Sequence, residues 1–262
     1  MMPTPPFPDR AQGLFETLLV VEERPIELDA HLDRLSASLE ALFGAATPPS
    51  LDDEIGERAR GLGLGRMRIG VGSNGTRTRA TLALEEVDPA DVFPAWERGA
   101  NLRSVFFDGG LGEHKWADRR ALGGLAKGEV SLLLDRGYEV LEGDRANVFA
   151  VLAGALTTPP ADGRILPGIA RAGAIAAARE AGIEVVERPL ERDELLAADE
   201  VFLTGSVRGV EPARSLDGTP LPAAGDLSRR IGAGLRRRWL DAPVAAAAPG
   251  RAGAPPPGPL AR

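Results

Sequence analysis

Of the 31 basic residues in this 262-residue chain, only two are lysines, Lys115 and Lys127, and the rest are arginines. A lysine amine does covalent work by condensing with a carbonyl. It must first lose its proton near neutral pH, through burial or neighbouring positive charge. Lys115 stands in GEHKWADRR, beside His114, Arg119 and Arg120, directly after the glycine-rich stretch Gly109 to Glu113. That joint between two blocks of elements is where a small-molecule cleft is expected. An isolated lysine is by default a surface cation, and the scarcity of lysine elsewhere is what sets Lys115 apart. Lys127, next to Gly128 at the expected end of a helix, is better explained by the helix dipole and solvent.

Three further features suit a phosphate-bearing ligand. Leu166-Pro167-Gly168 precedes a helix that starts at Ile169, so the first N–H groups, from Ile169 and Ala170, are free for an anion. Arg34 lies on a helix face beside an apolar stripe. Ser206 ends the strand VFLTG, with Thr204 and Gly205 beside it. Singly these are a capped helix, a solvated arginine and a turn serine; together they fit a phosphorylated aldehyde. In EGDRAN, Glu142 and Asn147 follow a strand. A carboxylate there can hold a protonated ring nitrogen, and its simpler reading is a turn residue.

Composition removes other chemistries. With no cysteine and two histidines, a thiolate nucleophile, a disulfide framework and a zinc ribbon are impossible, and no metal site is expected. A net charge of -7 argues against nucleic-acid binding. Arg229, Arg230, Arg236, Arg237 and Arg238 read as solvated charge near the end of a last helix. Gly70, Gly72 and Gly75 match GxGxxG, but the alternating TRTRATLALEEV that follows is a strand, so the glycines belong to a hairpin turn. No run approaches the roughly 18 apolar residues of a membrane helix, and the start is not a signal peptide. The expected setting is the cytoplasm, with a small-molecule partner and neither nucleic acid nor membrane.

Two blocks of strands and helices position these residues, giving an α/β (α+β) class. GLFETLLVV and RPIEL read as a hairpin. Leu28, Leu32, Leu35, Leu39 and Leu42 mark an amphipathic helix with Asp29 as N-cap. A short helix from Ser50 to Leu62 and strands at Arg66–Gly72, Arg77–Val87 and Leu102–Phe107 complete residues 11–108. A linker at 109–113 leads to a second block, 114–241. Its expected elements are a helix over Trp116–Lys127, strands at Val130–Leu134, Tyr138–Leu141 and Asn147–Leu156, and a helix over Ile169–Ala181. A strand at Glu184–Pro189, a helix at Asp193–Ala197, a strand at Val201–Ser206 and a helix over Leu227–Leu240 follow. Residues 242–262 are of low complexity and are expected to be disordered.

In this order the motifs resemble the class IV aminotransferase family, the pyridoxal phosphate enzymes of fold type IV. The likeness runs from about residue 13 to 217. It comprises GLFETLLV, HLDRL (31–35), HK (114–115), E-x4-N (142–147), NVFAV, TPP with ILPGIAR (165–171), and ERPL with ELLAADEVFLTGS (194–206). The resemblance implies a small N-terminal α/β domain, a larger C-terminal pseudo-barrel domain, pyridoxal 5'-phosphate between them, and a homodimer. It implies that Lys115 holds the cofactor covalently and that Glu142 pairs with the pyridine nitrogen. It further implies that Arg34, Gly168, Ile169, Ala170 and Ser206 bind phosphate, with Asn147, Thr204 and Gly205 close by. Two positions depart from the pattern. Ala170 replaces the usual threonine, and Arg120 stands five residues after the lysine, where branched-chain transaminases carry a tyrosine. Arg119 or Arg120 is left to meet the cofactor's phenolic oxygen. These departures lean towards a lyase that releases pyruvate from 4-amino-4-deoxychorismate to give 4-aminobenzoate, on the folate route. Transamination of branched-chain or D-amino acids is the alternative, and a non-catalytic cofactor-binding relic is a third.

Overall fold

The computed structural model describes residues 7–74, 77–122 and 128–241. The first sheet is antiparallel, in the order β2-β1-β3-β4, from β1 (Leu14–Val21), β2 (Arg24–Pro25), β3 (Leu64–Asn74) and β4 (Arg77–Glu86). The helices α1 (Leu28–Phe43) and α2 (Leu51–Ala59) cover one face. Alternation along β1 explains the packing. Leu14, Leu18 and Val20 bury against Leu35, Leu39 and Ile55 of the helices, and Phe15, Thr17 and Leu19 face the other way. Gly70 and Gly72 of the GxGxxG match sit in β3, and β4 pairs with it in register from Gly65↔Glu86 to Asn74↔Arg77. A hairpin, not a nucleotide loop, is therefore present, although Gly75 itself lies outside the described residues.

The second sheet has ten strands. They are β5 (Ala100–Phe106), β6 (Glu129–Leu134), β7 (Glu139–Gly143), β8 (Asn147–Leu152), β9 (Ala155–Thr158), β10 (Val185–Glu187), β11 (Leu190–Glu191), β12 (Glu200–Gly205), β13 (Gly209–Leu216) and β14 (Thr219–Pro220). The order is β10-β9-β8-β12-β13-β5-β6-β7-β11, with β14 on β13. Leu102, Leu132, Val140, Val148, Leu203 and Ala213 meet in one core, so the sheet curls upon itself. On its outer face, α3 (Ile169–Glu180) and α5 (Asp226–Arg236) pack on Phe149 and Phe202, whose rings stack 5.2 Å apart. The short α4 (Arg192–Ala197) closes the edge by β11.

Several expectations are corrected. The helix over Trp116–Lys127 is absent from its described part, 116–122. β2 covers only one end of β1's edge, which leaves backbone groups of β1 unpaired at the other. Lys115 to Ala117 fill that gap: Phe15 N–H donates to the Lys115 carbonyl at 2.9 Å, and Ala117 N–H to Gly13 O at 3.0 Å. Only a single 3-10 turn, Arg120–Leu122, follows. The border between the sheets also moves. β5 bonds to β6 and β13, and its Ala100 and Leu102 belong to the second core, so the Gly109–Glu113 stretch does not join the sheets. The expected strand over Asn147–Leu156 turns at Ala153-Gly154, both at positive φ, into β8 and β9. β13 was not expected: it is buried almost throughout, shows no alternation and contains Pro212, yet β12 and β5 flank it on both sides. α1 is capped by Glu27 in the left-handed region, not by Asp29, and α5 stops at Arg236 before a wide turn over Arg237–Asp241. Lys127 and the tail 242–262 lie outside the described residues.

Candidate active site

A cleft of about 600 Å³ opens between the sheets. Its lining includes Lys115, Glu142, Arg34, Asn147, Gly168, Ile169, Ala170, Thr204, Gly205, Ser206 and Arg119. Residues spread over some 170 positions of sequence are thus gathered around one space. Among the described residues no group of three His, Asp or Glu side chains could hold a metal ion, and no helix is long and apolar enough to cross a membrane.

Lys115 enters the cleft from the segment that completes β1's edge, with its Nζ 4.8 Å from the centre of the Phe15 ring. Burial lowers its pKa to about 8; the charges of Arg34 and Arg119 act in the same direction, and those of Glu16 and Glu142 oppose it. A minor but usable fraction of the amine, roughly a tenth to a fifth between pH 7 and 7.4, is therefore neutral and nucleophilic, far more than for an ordinary lysine. Glu142, on β7, is buried, and that burial lifts its pKa to about 8. Its carboxylate accepts from Leu166 N–H at 3.2 and 3.3 Å. Asn147 holds the same corner, donating to Leu166 O at 2.9 Å and to Glu142 Oε2 at 3.5 Å. An acid in so dry a place ionises readily only if a cation is set against it.

The far end is built for an anion. No side chain caps the start of α3, so the Ile169 and Ala170 N–H groups point into the cleft with the positive end of the helix dipole. Arg34 stands beside it, its Nη1 donating to Pro167 O at 2.9 Å. Gly168 is required here by contact and not by φ, because a Cβ would collide with Asn147 Oδ1. Thr204 is buried, and its hydroxyl has no hydrogen-bond partner among the described residues. A buried hydroxyl left open in this way is costly unless a ligand meets it. Ser206 and Gly205 follow at the rim.

One functional residue was not singled out from the sequence. Glu16 shares the helix-facing side of β1 with Leu14 and Leu18 and is 1% exposed. Arg34 grips it at both oxygens, Nε to Oε1 at 2.9 Å and Nη2 to Oε2 at 2.7 Å, and His31 Nδ1 donates at 2.8 Å. These partners overcome the cost of burial and hold the Glu16 carboxyl at about 2, while burial keeps His31 below its ordinary pKa. The signal was present in GLFETLLV: a carboxylate on the buried side of an alternating strand needs a cation. Glu16→Ala, which strands Arg34 and His31, should cost about 3–5 kcal/mol in urea unfolding. The depressed pKa makes Glu16's contribution complete above its ordinary value of 4.5 and lost as pH falls through about 2.

Arg119 and Arg120 part company. Arg119 lines the cleft and is half-buried, and this desolvation lowers its pKa. Arg120 points outward, its Nε and Nη2 donating to Asp118 at 2.8 Å, so this candidate contact lies away from the cleft. Tyr138 is exposed and packs edge-on against Phe106, also away from the site.

Known proteins bear on this arrangement. The family described as amino-transferase class IV matches residues 116–216, beginning one residue after Lys115. The branched-chain-amino-acid aminotransferase of Escherichia coli is 41% identical over 105 residues, which are 39% of this chain and 34% of that protein. The matching stretch is thus about a third of that relative's length. The solved 4-amino-4-deoxychorismate lyase of Pseudomonas aeruginosa is 27% identical with a TM-score of 0.70, over 86% of this chain and 90% of that one. The solved branched-chain aminotransferase of Escherichia coli, at 22% identity and TM-score 0.73 over 88% and 86%, shares the fold.

Proposed function

We propose, from the match of residues 116–216 to the family described as amino-transferase class IV, that the chain is a pyridoxal 5'-phosphate enzyme of that family that acts as a 4-amino-4-deoxychorismate lyase. The donor set suits that cofactor. Lys115 would hold its aldehyde carbon, Glu142 its ring nitrogen, and the α3 N-terminus, Arg34, Thr204 and Ser206 its phosphate. When bound, the cofactor supplies an electron-poor ring that accepts the electrons of a bond broken at the amine-bearing carbon. The protein's own work is to orient and to move protons. Glu142, once ionised, would hold a proton on the ring nitrogen. Lys115, as a neutral amine, would take the proton from the amine-bearing carbon of the substrate. Arg34, fixed by Glu16 and His31, anchors the far end so that the reacting atoms stay aligned.

The observation that carries the lyase reading is the cleft's lack of a tyrosine near Lys115. The position five residues on is Arg120, which faces solvent, and the chain's single tyrosine is exposed. The likeness to the Pseudomonas lyase along most of both chains supports it. The local 41% identity to a branched-chain aminotransferase favours a transaminase as the second reading. A non-catalytic binding role has little support, because Lys115 and Glu142 face one cleft with shifted pKa values. The reading includes a cytoplasmic homodimer on the folate route, for which the family resemblance is the support.

The assay supplies 4-amino-4-deoxychorismate to cofactor-loaded protein without any keto acid. Release of pyruvate and 4-aminobenzoate in equal amounts is expected. No release, together with amino-acid conversion that depends on a keto acid, would replace the lyase by the transaminase.

A further inference from the structure

The glycine-rich stretch Gly109 to Glu113 does not join the sheets, and its contacts give it another task. It lies against the loop 159–168 that leads into α3. Gly112 N–H donates to the Arg164 carbonyl at 3.2 Å. Gly110 has a φ of 70°, and a Cβ there would collide with the same carbonyl, so only glycine lets the two backbones meet. Ile165 and Leu111 pack beside this contact in one small core with Phe107 and Leu141. The Leu111 carbonyl in turn accepts from Trp116 Nε1 at 2.9 Å, and Trp116 directly follows Lys115. The loop is thus the support on which the lysine segment rests.

The Arg164 side chain fixes that loop. Its Nη2 donates to Glu139 Oε1 at 2.6 Å, its Nη1 to Asp135 Oδ2 at 3.2 Å, and its Nε and Nη2 to Asp162 Oδ2 at 3.0 and 2.8 Å. The guanidinium is half-buried, and a fork shared by three carboxylates is a firmer tie than a lone surface pair. Glu139 opens β7, three residues before Glu142. Asp135 also accepts from Gly109 N–H at 3.1 Å. One arginine therefore binds the strand that carries Glu142 and, through Asp135, the glycine-rich stretch before Lys115. The loop it holds continues to Leu166, whose N–H reaches Glu142, and to Gly168 at the start of α3. The charges that act on Lys115 are those of Glu16 on β1, Arg34 on α1, Arg119 and Glu142. Arg164 reaches the amine through its support, not through its charge.

We propose that Arg164 is a positioning residue: by tying the loop before α3 to β7 and to the glycine-rich stretch, it sets Lys115 and Glu142 in their working places in the cleft. The proposal rests on the roles given to Lys115 and Glu142 above and holds for either reaction there. Without the fork, the loop lifts from β7, Glu142 loses the Leu166 N–H, and water reaches Lys115. The reacting atoms then lose the alignment that a rigid support provides.

The full chain is tested in two states. Without cofactor, labelling of Lys115 by trinitrobenzenesulfonate, resolved from Lys127 by mass spectrometry, is followed against pH. The wild-type midpoint is expected at about 8, and in Arg164→Gln it should rise by roughly one pH unit, towards the ordinary 10.5. Gly110→Ala, which breaks the same contact from the other side, should raise it likewise. The double variant should raise it no further than the larger single change, because both act through one contact. Arg164→Lys keeps the charge without the fork and should recover part of the shift. Arg192→Gln is the control: Arg192 is paired with Asp217 at 2.8 Å outside the cleft lining, and its loss should leave the midpoint unmoved. With cofactor bound, Arg164→Gln should lower kcat roughly tenfold to a hundredfold with KM little changed, the scale of a small misplacement. Circular dichroism checks that each variant is folded; where Gly110→Ala fails to fold, Arg164→Gln and Arg164→Lys decide. An unmoved midpoint or an unchanged kcat in Arg164→Gln, or an equal shift in Arg192→Gln, would overturn the proposal. Failure of the cofactor reading looks different: the wild type gains no visible absorbance with pyridoxal 5'-phosphate, while the midpoint still separates it from Arg164→Gln.

Discussion

Replacing Lys115 by alanine should abolish the visible absorbance that the cofactor gives the wild-type protein and lower turnover by roughly 10²–10⁴-fold, the scale of a lost general acid–base group. The expectation is large because nothing stands in for Lys115. It is the one lysine among the described residues of the cleft, and the nearby cations are arginines, which do not release a proton. Stability should report the same residue. The amine titrates at about 8 in the folded, cofactor-free protein against 10.5 in the open chain. Between those values the unfolded state binds more protons, so stability rises with pH across that window. Lys115→Ala removes the rise. Denaturant titrations at pH 8 and pH 10 measure it, and an unchanged spectrum in the variant would refute the assignment.

The second large effect concerns Glu142. Glu142→Gln should leave cofactor binding largely intact while turnover falls roughly 10²–10³-fold, as when one preorganised electrostatic partner is removed. The amide preserves the shape and one acceptor for Leu166 N–H, but it carries no charge to hold a proton on a ring nitrogen. The sign of the pH effect is opposite to that of Lys115. Glu142 titrates at about 8 in the folded cofactor-free protein against 4.5 ordinarily. The folded state binds the extra proton between these values, so stability falls as pH rises from 4.5 to 8, and the glutamine variant flattens that decline. Full activity in Glu142→Gln, measured alongside retained cofactor, would end its proposed role.

Much of the cleft was legible in the chain because the signals are local. Pro167-Gly168 before a helical repeat exposes N–H groups wherever the helix lies. A lone lysine beside histidine and arginine marks itself by composition. The helix expected over Trp116–Lys127 shows the limit of local reading: residues 115–117 are taken by the unpaired edge of β1, a demand set by a strand a hundred residues earlier. β13 was hidden for the same kind of reason, since a strand buried on both faces has no alternation to read.

By itself the sequence determined which groups are available and in what order: Lys115, Glu142, Arg34, the Gly168–Ala170 helix start and the Thr204–Ser206 rim. It also settled what is missing, from thiols to a tyrosine near the lysine. Only the tertiary structure decided which arginines are satisfied. Arg34 and Glu16 are 18 residues apart and Arg145 and Glu211 are 66 apart, yet each pair meets within about 3 Å. Arg119 and Arg120 are adjacent and face opposite ways. Charge acts through distance and burial, and neither is a property of position along the chain, so the sorting of paired from open cations appears only when the two sheets close on each other.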